Sequence, residues 1–362
     1  MKRILFISPR LGQGGAERQS VTIARLLKKE GYDVEFLCYS YGDFYEYLLK
    51  EDHIPVYWSQ HNYLIRLATC IGYIRHGKYD VVISFLPTPS LINGFAAMLG
   101  KRWKVITGER SSNVMRPHTM RQRFSSWLRR YSDYIVCNSY NAKALWEELF
   151  PNYKEIIKTI YNAVTLDPIS SNYQPLEGNK LHICVPATVS DIKNPIGLIN
   201  ALLLMNPTER DKIVINWYGK SEAKIGDTSV YDEVRKMIAL HQLEDVLKLH
   251  DAIQDISEKM MASDFVALFS RSEGLPNAIC EGMMMGKPII MTRVSDYNIL
   301  VEEPQNGYLC DWNKPENIKN VLLKATSLSS EEIVKMGAVS KHKARLLFSE
   351  DKILGEWLSI IE

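Results

Sequence analysis

An α/β chain built on two parallel sheets is the fold class this sequence predicts. Three observations predict it. Short apolar runs alternate with amphipathic stretches of helical period along the whole 362 residues. Each run is followed by Gly, Pro or polar residues, where a connecting loop belongs. The alternation stops once, at residues 162–177, and then starts again. Strands covered on both faces by crossover helices read as continuous apolar runs, which is the pattern here. A chain of this length holds two ordinary domains, each with a full core.

Taken in order, residues 3–7 are expected as the first strand, a Gly loop follows at 12–15, and residues 18–30 form a helix. Val21, Ala24 and Leu27/Lys28 place one stripe of that helix on the core, and Gly31 ends it. Residues 33–38, 80–85 (DVVISF), 104–107 and 134–137 (YIVC) are the next strands, and the first sheet ends near 156–161. Residues 162–177, polar and with two prolines, form the expected linker. The second unit starts at 182–186, with further strands at 214–218, 247–250, 265–269 and 288–292. Residues 329–362 read as helical. No repeat, low-complexity segment or coiled coil is present. The expected domains are therefore 1–165, 166–345 and a terminal helix 346–362 that returns to the first domain.

Hydrophobic content of 46% and charged content of 24% suit a soluble globular protein. The net charge of +2 hides an asymmetry: residues 1–165 carry 23 Lys/Arg against 14 Asp/Glu, and residues 166–362 carry 21 against 28. A basic half suits an anionic surface, membrane lipid or nucleic acid, but no nucleic-acid-binding module accompanies it. The six cysteines are scattered without metal spacing, so free thiols in a reducing cytoplasm are expected. The opening MKRILFIS loses its apolar run at Pro9-Arg10, too early for a signal peptide. No stretch reaches the ~18 apolar residues of a membrane span.

The segment Glu273-Gly274-Leu275-Pro276-Asn277-Ala278-Ile279-Cys280-Glu281 carries the most chemistry. Gly274 and Pro276 interrupt regular structure, so Glu273 belongs on a loop after the strand at 265–269. Asn277 to Glu281 then open a helix whose N-terminal N–H groups and dipole can hold a phosphate. The two acids flank that end and can accept hydrogen bonds from neutral hydroxyls. Gly12-Gln13-Gly14-Gly15-Ala16-Glu17-Arg18 joins the first strand to the first helix, and its glycines let backbone approach a ligand. A dinucleotide fingerprint can be laid on Gly12 and Gly14, with Glu35 as the ribose acid, but Glu17 stands where a small residue is needed. Lys193, in Lys-Asn-Pro, starts a helix after the strand at 182–186.

The Glu273 to Glu281 block, with its Gly-Leu-Pro insert, resembles the E-x7-E signature of retaining glycosyltransferases of the GT-B fold, family 4. Gly-Gly-Ala-Glu-Arg at 14–18 looks like that family's N-terminal loop, and Lys193 matches the lysine the family usually has five residues after a Gly-Arg. The resemblance covers nearly the whole chain. It implies two Rossmann-like domains facing across a cleft, the first for acceptor and the second for a nucleotide-diphosphate sugar. It implies that Glu273 contacts the donor sugar and Glu281 the ribose. Gly14, Gly15, Thr188, Lys193, Arg271, Gly274, Leu275, Pro276 and Asn277 complete the donor set. Thr188 stands where the family has an Arg, so one diphosphate cation is missing unless Arg271 supplies it. Glu273, Lys193 and Glu109 are the implied catalytic residues, and Glu17, Arg110 and Asn138 the cleft or acceptor candidates. For Glu109 and Arg110 an interdomain salt bridge is the other reading, and Asn138-Ser139 also reads as a helix cap.

The implied reaction retains anomeric configuration and needs no cofactor. It needs no metal either, because no D-x-D stands on a suitable loop. A UDP-sugar is favoured over a GDP-sugar, and the acceptor is a lipid-linked or oligosaccharide hydroxyl. A sugar-nucleotide epimerase of the same fold and a nicotinamide oxidoreductase on the Gly12 loop are the alternatives. Arg116, Arg121, Arg123, Arg129 and Arg130, interleaved with Phe124, Trp127 and Tyr131, suit a helix lying on anionic lipid. Residues 53–78, with Tyr63 and Leu64, could extend that patch. The alternative for both stretches is an ordinary helix with its apolar side in the core. The expected location is cytoplasmic, peripheral on the membrane.

Overall fold

The computed structural model describes residues 1–12, 14–59, 62–110, 119–165, 180–253 and 255–362. Gln13, residues 111–118 with Arg116, most of the expected linker (166–179) and the side chains of Tyr63, Leu64 and Arg121 lie outside the described residues. The chain forms two compact units, Met1–Thr165 with Phe348–Glu362, and Leu166–Leu347.

The first unit is a seven-stranded sheet. Its strands are β1 (Arg3–Ser8), β2 (Asp33–Cys38), β3 (Val56–Trp58), β4 (Val81–Phe85), β5 (Lys104–Glu109), β6 (Tyr134–Cys137) and β7 (Ile157–Thr159). They lie in the order β3-β2-β1-β4-β5-β6-β7, all parallel. Ile4, Leu5, Val34, Phe36, Val82, Ile83, Val105 and Ile106 are fully buried, as expected for a sheet covered on both faces. β3 was not anticipated. Three half-exposed residues are too few to show a period.

The second unit has six parallel strands: β8 (Leu181–Pro186), β9 (Ile213–Tyr218), β10 (Leu247–His250), β11 (Phe265–Leu268), β12 (Ile289–Thr292) and β13 (Gly307–Cys310). Their order is β10-β9-β8-β11-β12-β13. β13 was also missed, and it begins at a glycine for a steric reason. A Cβ on Gly307 would come within 2.1 Å of the Ile289 carbonyl oxygen. All six cysteines are free and buried.

Residues 329–362 form two helices rather than one. The first runs Ser330–Phe348; Ser349 then turns extended (φ −59°, ψ 147°), and the second runs Glu350–Ile361. The second helix packs on the first unit. Trp357, fully buried, lies 5.8 Å from the Phe85 ring. Lys2 and Lys104 place their ammonium groups 3.0 Å from the Ile361 and Ile360 carbonyls, cations at the negative end of a helix.

Each sheet reverses its winding once, between β1 and β4 in the first unit and between β8 and β11 in the second. There the connections leave toward opposite faces and open a crevice at the carboxyl ends of the strands, where open α/β sheets bind ligands.

Candidate active site

The crevice of the second unit is bordered by the loops after β8 and β11, and it brings Lys193 to Glu273. After β8 the chain reaches Lys193 through a 3-10 turn, Asp191–Lys193, and then passes through Asn194 in the left-handed region (φ 60°). Asn tolerates that region, and its side-chain amide is anchored to the Trp312 carbonyl at 2.9 Å. Pro195 opens the next helix, Pro195–Leu203. After β11, Glu273 sits on the loop before helix Asn277–Met284, as the Gly-Leu-Pro break predicts. Lys193 Nζ lies 2.5 Å from Glu273 Oε1, and Ser270 Oγ donates to the same oxygen at 2.6 Å.

A backbone bond from Arg271 N to the Ile192 carbonyl (2.8 Å) ties the two loops together. Thr292 Oγ1 holds the Ser270 carbonyl at 2.6 Å, and Ser295 Oγ holds that of Gly274. Leu275 and Pro276 are buried and seat the helix start. Gly282 lets this helix approach β11 closely, since a Cβ there would come within 2.8 Å of Val266. Asn277 and Glu281 are partly buried on that helix. Thr188 is fixed from below: a Cβ on Gly219 would come within 1.8 Å of the Ala187 carbonyl oxygen. Arg271 pairs with Asp191 at 2.7 Å and lies over the Trp312 ring at 5.3 Å, so its charge is already shared.

The first-unit candidates all stand at the carboxyl end of their own sheet. Glu109 ends β5 and pairs with Arg129; Arg129 is buried and the Glu109 side chain is 12% exposed. The other reading for Glu109 was an interdomain salt bridge; its ion pair with Arg129 lies within the first unit instead. Burial raises the Glu109 carboxyl above its usual range, with Arg129 and Arg110 opposing that rise. Arg110 donates to Asn162 at 2.6 Å and lies 4.1 Å over the Phe85 ring, and burial lowers it to about 10. Asn138 is buried, its Oδ1 without a hydrogen bond. The capping residue is Ser139, whose hydroxyl accepts from Ala142 N at 3.0 Å. Gly14 caps helix Gly15–Lys29, and the buried Glu17 turns its carboxylate back to that helix start.

Two expectations need correction. Arg129 does not join a surface patch. The helix expected across 116–131 ends at Leu128, and a 3-10 turn, Arg129–Tyr131, swings Arg129 inward to Glu109. Glu35 is not placed to hold a ribose: it sits in the middle of β2, and its two carboxylate oxygens accept from Tyr73 and Tyr79. That removes the residue on which the dinucleotide reading leaned.

Residues 13–168 match the family model described as Glycosyltransferase Family 4, and residues 183–327 match Glycosyl transferases group 1. The chain belongs to glycosyltransferase family 4. It is 25% identical over the full length of both chains to a Haemophilus influenzae protein described as an uncharacterized glycosyltransferase. It is also 25% identical, over 100% of itself and 98% of the relative, to a Campylobacter jejuni enzyme. That relative is named as an N-acetyl-D-galactosaminyltransferase for a GalNAc-containing diNAcBac-PP-undecaprenol. A crystal structure of Anabaena HepE in complex with UDP and glucose covers 99% of each chain at a TM-score of 0.83 and 20% identity. The chain thus has the GT-B fold and is a glycosyltransferase of glycoconjugate synthesis.

Around the candidate site, Ser270, Thr292, Ser295, Asp191 and Trp312 were not anticipated. They touch the predicted residues only through folding. Ser270, three residues before Glu273, was the one detectable from spacing.

Proposed function

We propose that the protein transfers a sugar from a UDP-sugar to a hydroxyl of a lipid-linked glycan, with retention of configuration. The Lys193–Glu273 pair beside the start of helix Asn277–Met284, at the second unit's crevice, carries the reading. Lys193 and the helix N-terminus supply positive charge to the diphosphate as the bond from the anomeric carbon to the phosphate oxygen breaks. Glu273 accepts hydrogen bonds from the transferred sugar, and Glu281 from the ribose. The acceptor hydroxyl attacks on the face the diphosphate leaves, forming the new C–O bond, and its proton passes to the departing phosphate oxygen. No protein nucleophile and no divalent metal enter this scheme. Glu17, Arg110 and Asn138 belong to the acceptor side in this reading, Gly14 and Gly15 to the donor side, and Glu109 holds Arg129 in the first unit.

The UDP in the HepE crystal supports the nucleotide, and the PP-undecaprenol in the Campylobacter name supports the acceptor class. A thermal-shift screen of UDP-, GDP- and ADP-sugars tests the donor, since a ligand of the native state raises Tm by mass action. UDP-sugars should give the largest shift, and transfer should persist in EDTA. A larger shift with GDP-sugars, or activity lost in EDTA and restored by Mn²⁺, contradicts the scheme.

A lipid-linked acceptor requires a membrane surface. Among the described residues no helix is long and apolar enough to cross a membrane. Helix Met120–Leu128 instead exposes Phe124 and Trp127, stacked at 5.8 Å, with Arg130 over Trp127 at 5.3 Å and Arg123 exposed nearby. We infer peripheral docking on anionic lipid through this face, each arginine contributing about 1 kcal/mol. Co-sedimentation with anionic liposomes should fall steeply with salt and fall again in Arg123→Gln/Arg130→Gln. Equal binding to neutral liposomes contradicts this docking.

A further inference from the structure

The first unit has its own crevice, between β1 and β4, and its rim is built around Arg10. Four backbone hydrogen bonds join the loop after β1 to the loop after β2. Tyr39 N and Ser40 N donate to the Pro9 carbonyl (3.2 and 2.7 Å), Leu11 N to Gly42 (2.7 Å), and Tyr45 N to Leu11 (3.0 Å). Ser8 Oγ donates to the Arg10 carbonyl at 2.7 Å and fixes the turn. The Arg10 side chain runs between two glycine backbones. A Cβ on Gly12 would come within 3.1 Å of its Nε, and one on Gly42, which has φ +142°, within 3.1 Å of its Cδ. Across the crevice, after β4, Leu86 adopts φ 75° and ψ 156°, a region almost reserved for glycine.

The guanidinium seated by this frame is exposed and, among the described residues, makes no ion pair or hydrogen bond. An arginine that merely solvates the surface needs no such seat, because glycine backbone is costly to order. Tyr41, which precedes Gly42 in the chain, is 85% exposed, and its ring can lie against the C–H face of a sugar. A planar guanidinium with five donors fits a phosphate oxygen pair.

We infer that Arg10 and Tyr41 form a subsite for a phosphorylated saccharide: Arg10 holds the phosphate, and Tyr41 stacks on the adjoining sugar ring. That this saccharide is the acceptor rests on the glycosyl-transfer reading above. The phosphate can come from a lipid-linked diphosphate sugar or from a soluble sugar phosphate.

The test is calorimetry on the full chain with the donor site filled by saturating UDP. Three probes are titrated: N-acetylglucosamine 1-phosphate, farnesyl diphosphate-linked N-acetylglucosamine, and methyl N-acetylglucosaminide. The phosphorylated probes should bind about tenfold or more tightly than the neutral glycoside, the range of a charged hydrogen bond. Arg10→Gln should remove that preference, Arg10→Lys should keep part of it, and Tyr41→Ala should weaken all three probes alike. UDP affinity should stay unchanged in each variant, so failure of the donor reading would show separately as absent UDP binding. Tighter binding of the farnesyl probe supports the lipid-linked source, and equal binding the soluble one. No phosphate preference in the parent protein, or a preference that survives Arg10→Gln, overturns the proposal.

Discussion

Glu273 offers two oxygens with unlike surroundings. Oε1 takes both Lys193 Nζ and Ser270 Oγ, and among the described residues Oε2 takes nothing. One oxygen therefore fixes the side chain and the other stays available to a sugar hydroxyl. In the proposed scheme Glu273→Gln removes the charge that aligns Lys193 and weakens the contact to the transferred sugar. Its kcat should fall about tenfold or more, with a much smaller change in affinity for free UDP. Equal losses in both would make Glu273 part of the scaffold alone. At this scale the sequence was informative where a motif names its residues and uninformative where a partner arrives by folding. Glu273 and Lys193 could be singled out because a Gly-Leu-Pro break and a Lys-Asn-Pro start announce loops at strand ends. The pairs Arg271–Asp191 and Glu109–Arg129 join residues 80 and 20 positions apart, and no local pattern reports such distances. Arg129 looked like its neighbours in a basic run, and only the 3-10 turn turned it inward.

The strands were legible when long and buried. β2, β6 and β10 lie where their apolar runs predicted, and β1, β4, β5, β8, β9, β11 and β12 differ by one or two residues at an end, the usual uncertainty of element boundaries. β3 and β13, short edge strands, were not. Ser349 was also invisible as a helix break, because serine neither bars a helix nor demands a turn. Close backbone approaches make several of these elements fit, and Gly219 is the tightest near the candidate site. The Ala187 carbonyl stands 1.8 Å from where its Cβ would be. Gly219→Ala must push the ends of β8 and β9 apart, at an expected cost of about 1–3 kcal/mol for overpacking. Thermal melting should show a clear fall in Tm, with weaker UDP binding because Thr188 moves too. An unchanged Tm would mean that this junction yields without strain.

At the scale of the molecule, the charge asymmetry seen along the sequence separates by unit. The basic residues 1–165 make the seven-stranded sheet, and the acidic remainder makes the six-stranded one and the terminal helix of the first unit. The two sheets thus differ in net charge, and under the proposed function the basic sequence would favour an anionic acceptor. The claim on which all of this depends is that the crevice between β8 and β11 holds the nucleotide. The direct measurement is calorimetric titration of UDP into the parent protein and into Glu281→Ala, with circular dichroism to establish that both are folded. The account predicts that the parent binds UDP and that the variant binds it more weakly by about 1.5–3 kcal/mol, the value of hydrogen bonds to a charged group. A folded Glu281→Ala with unchanged UDP affinity, or a parent that binds no UDP, would contradict it.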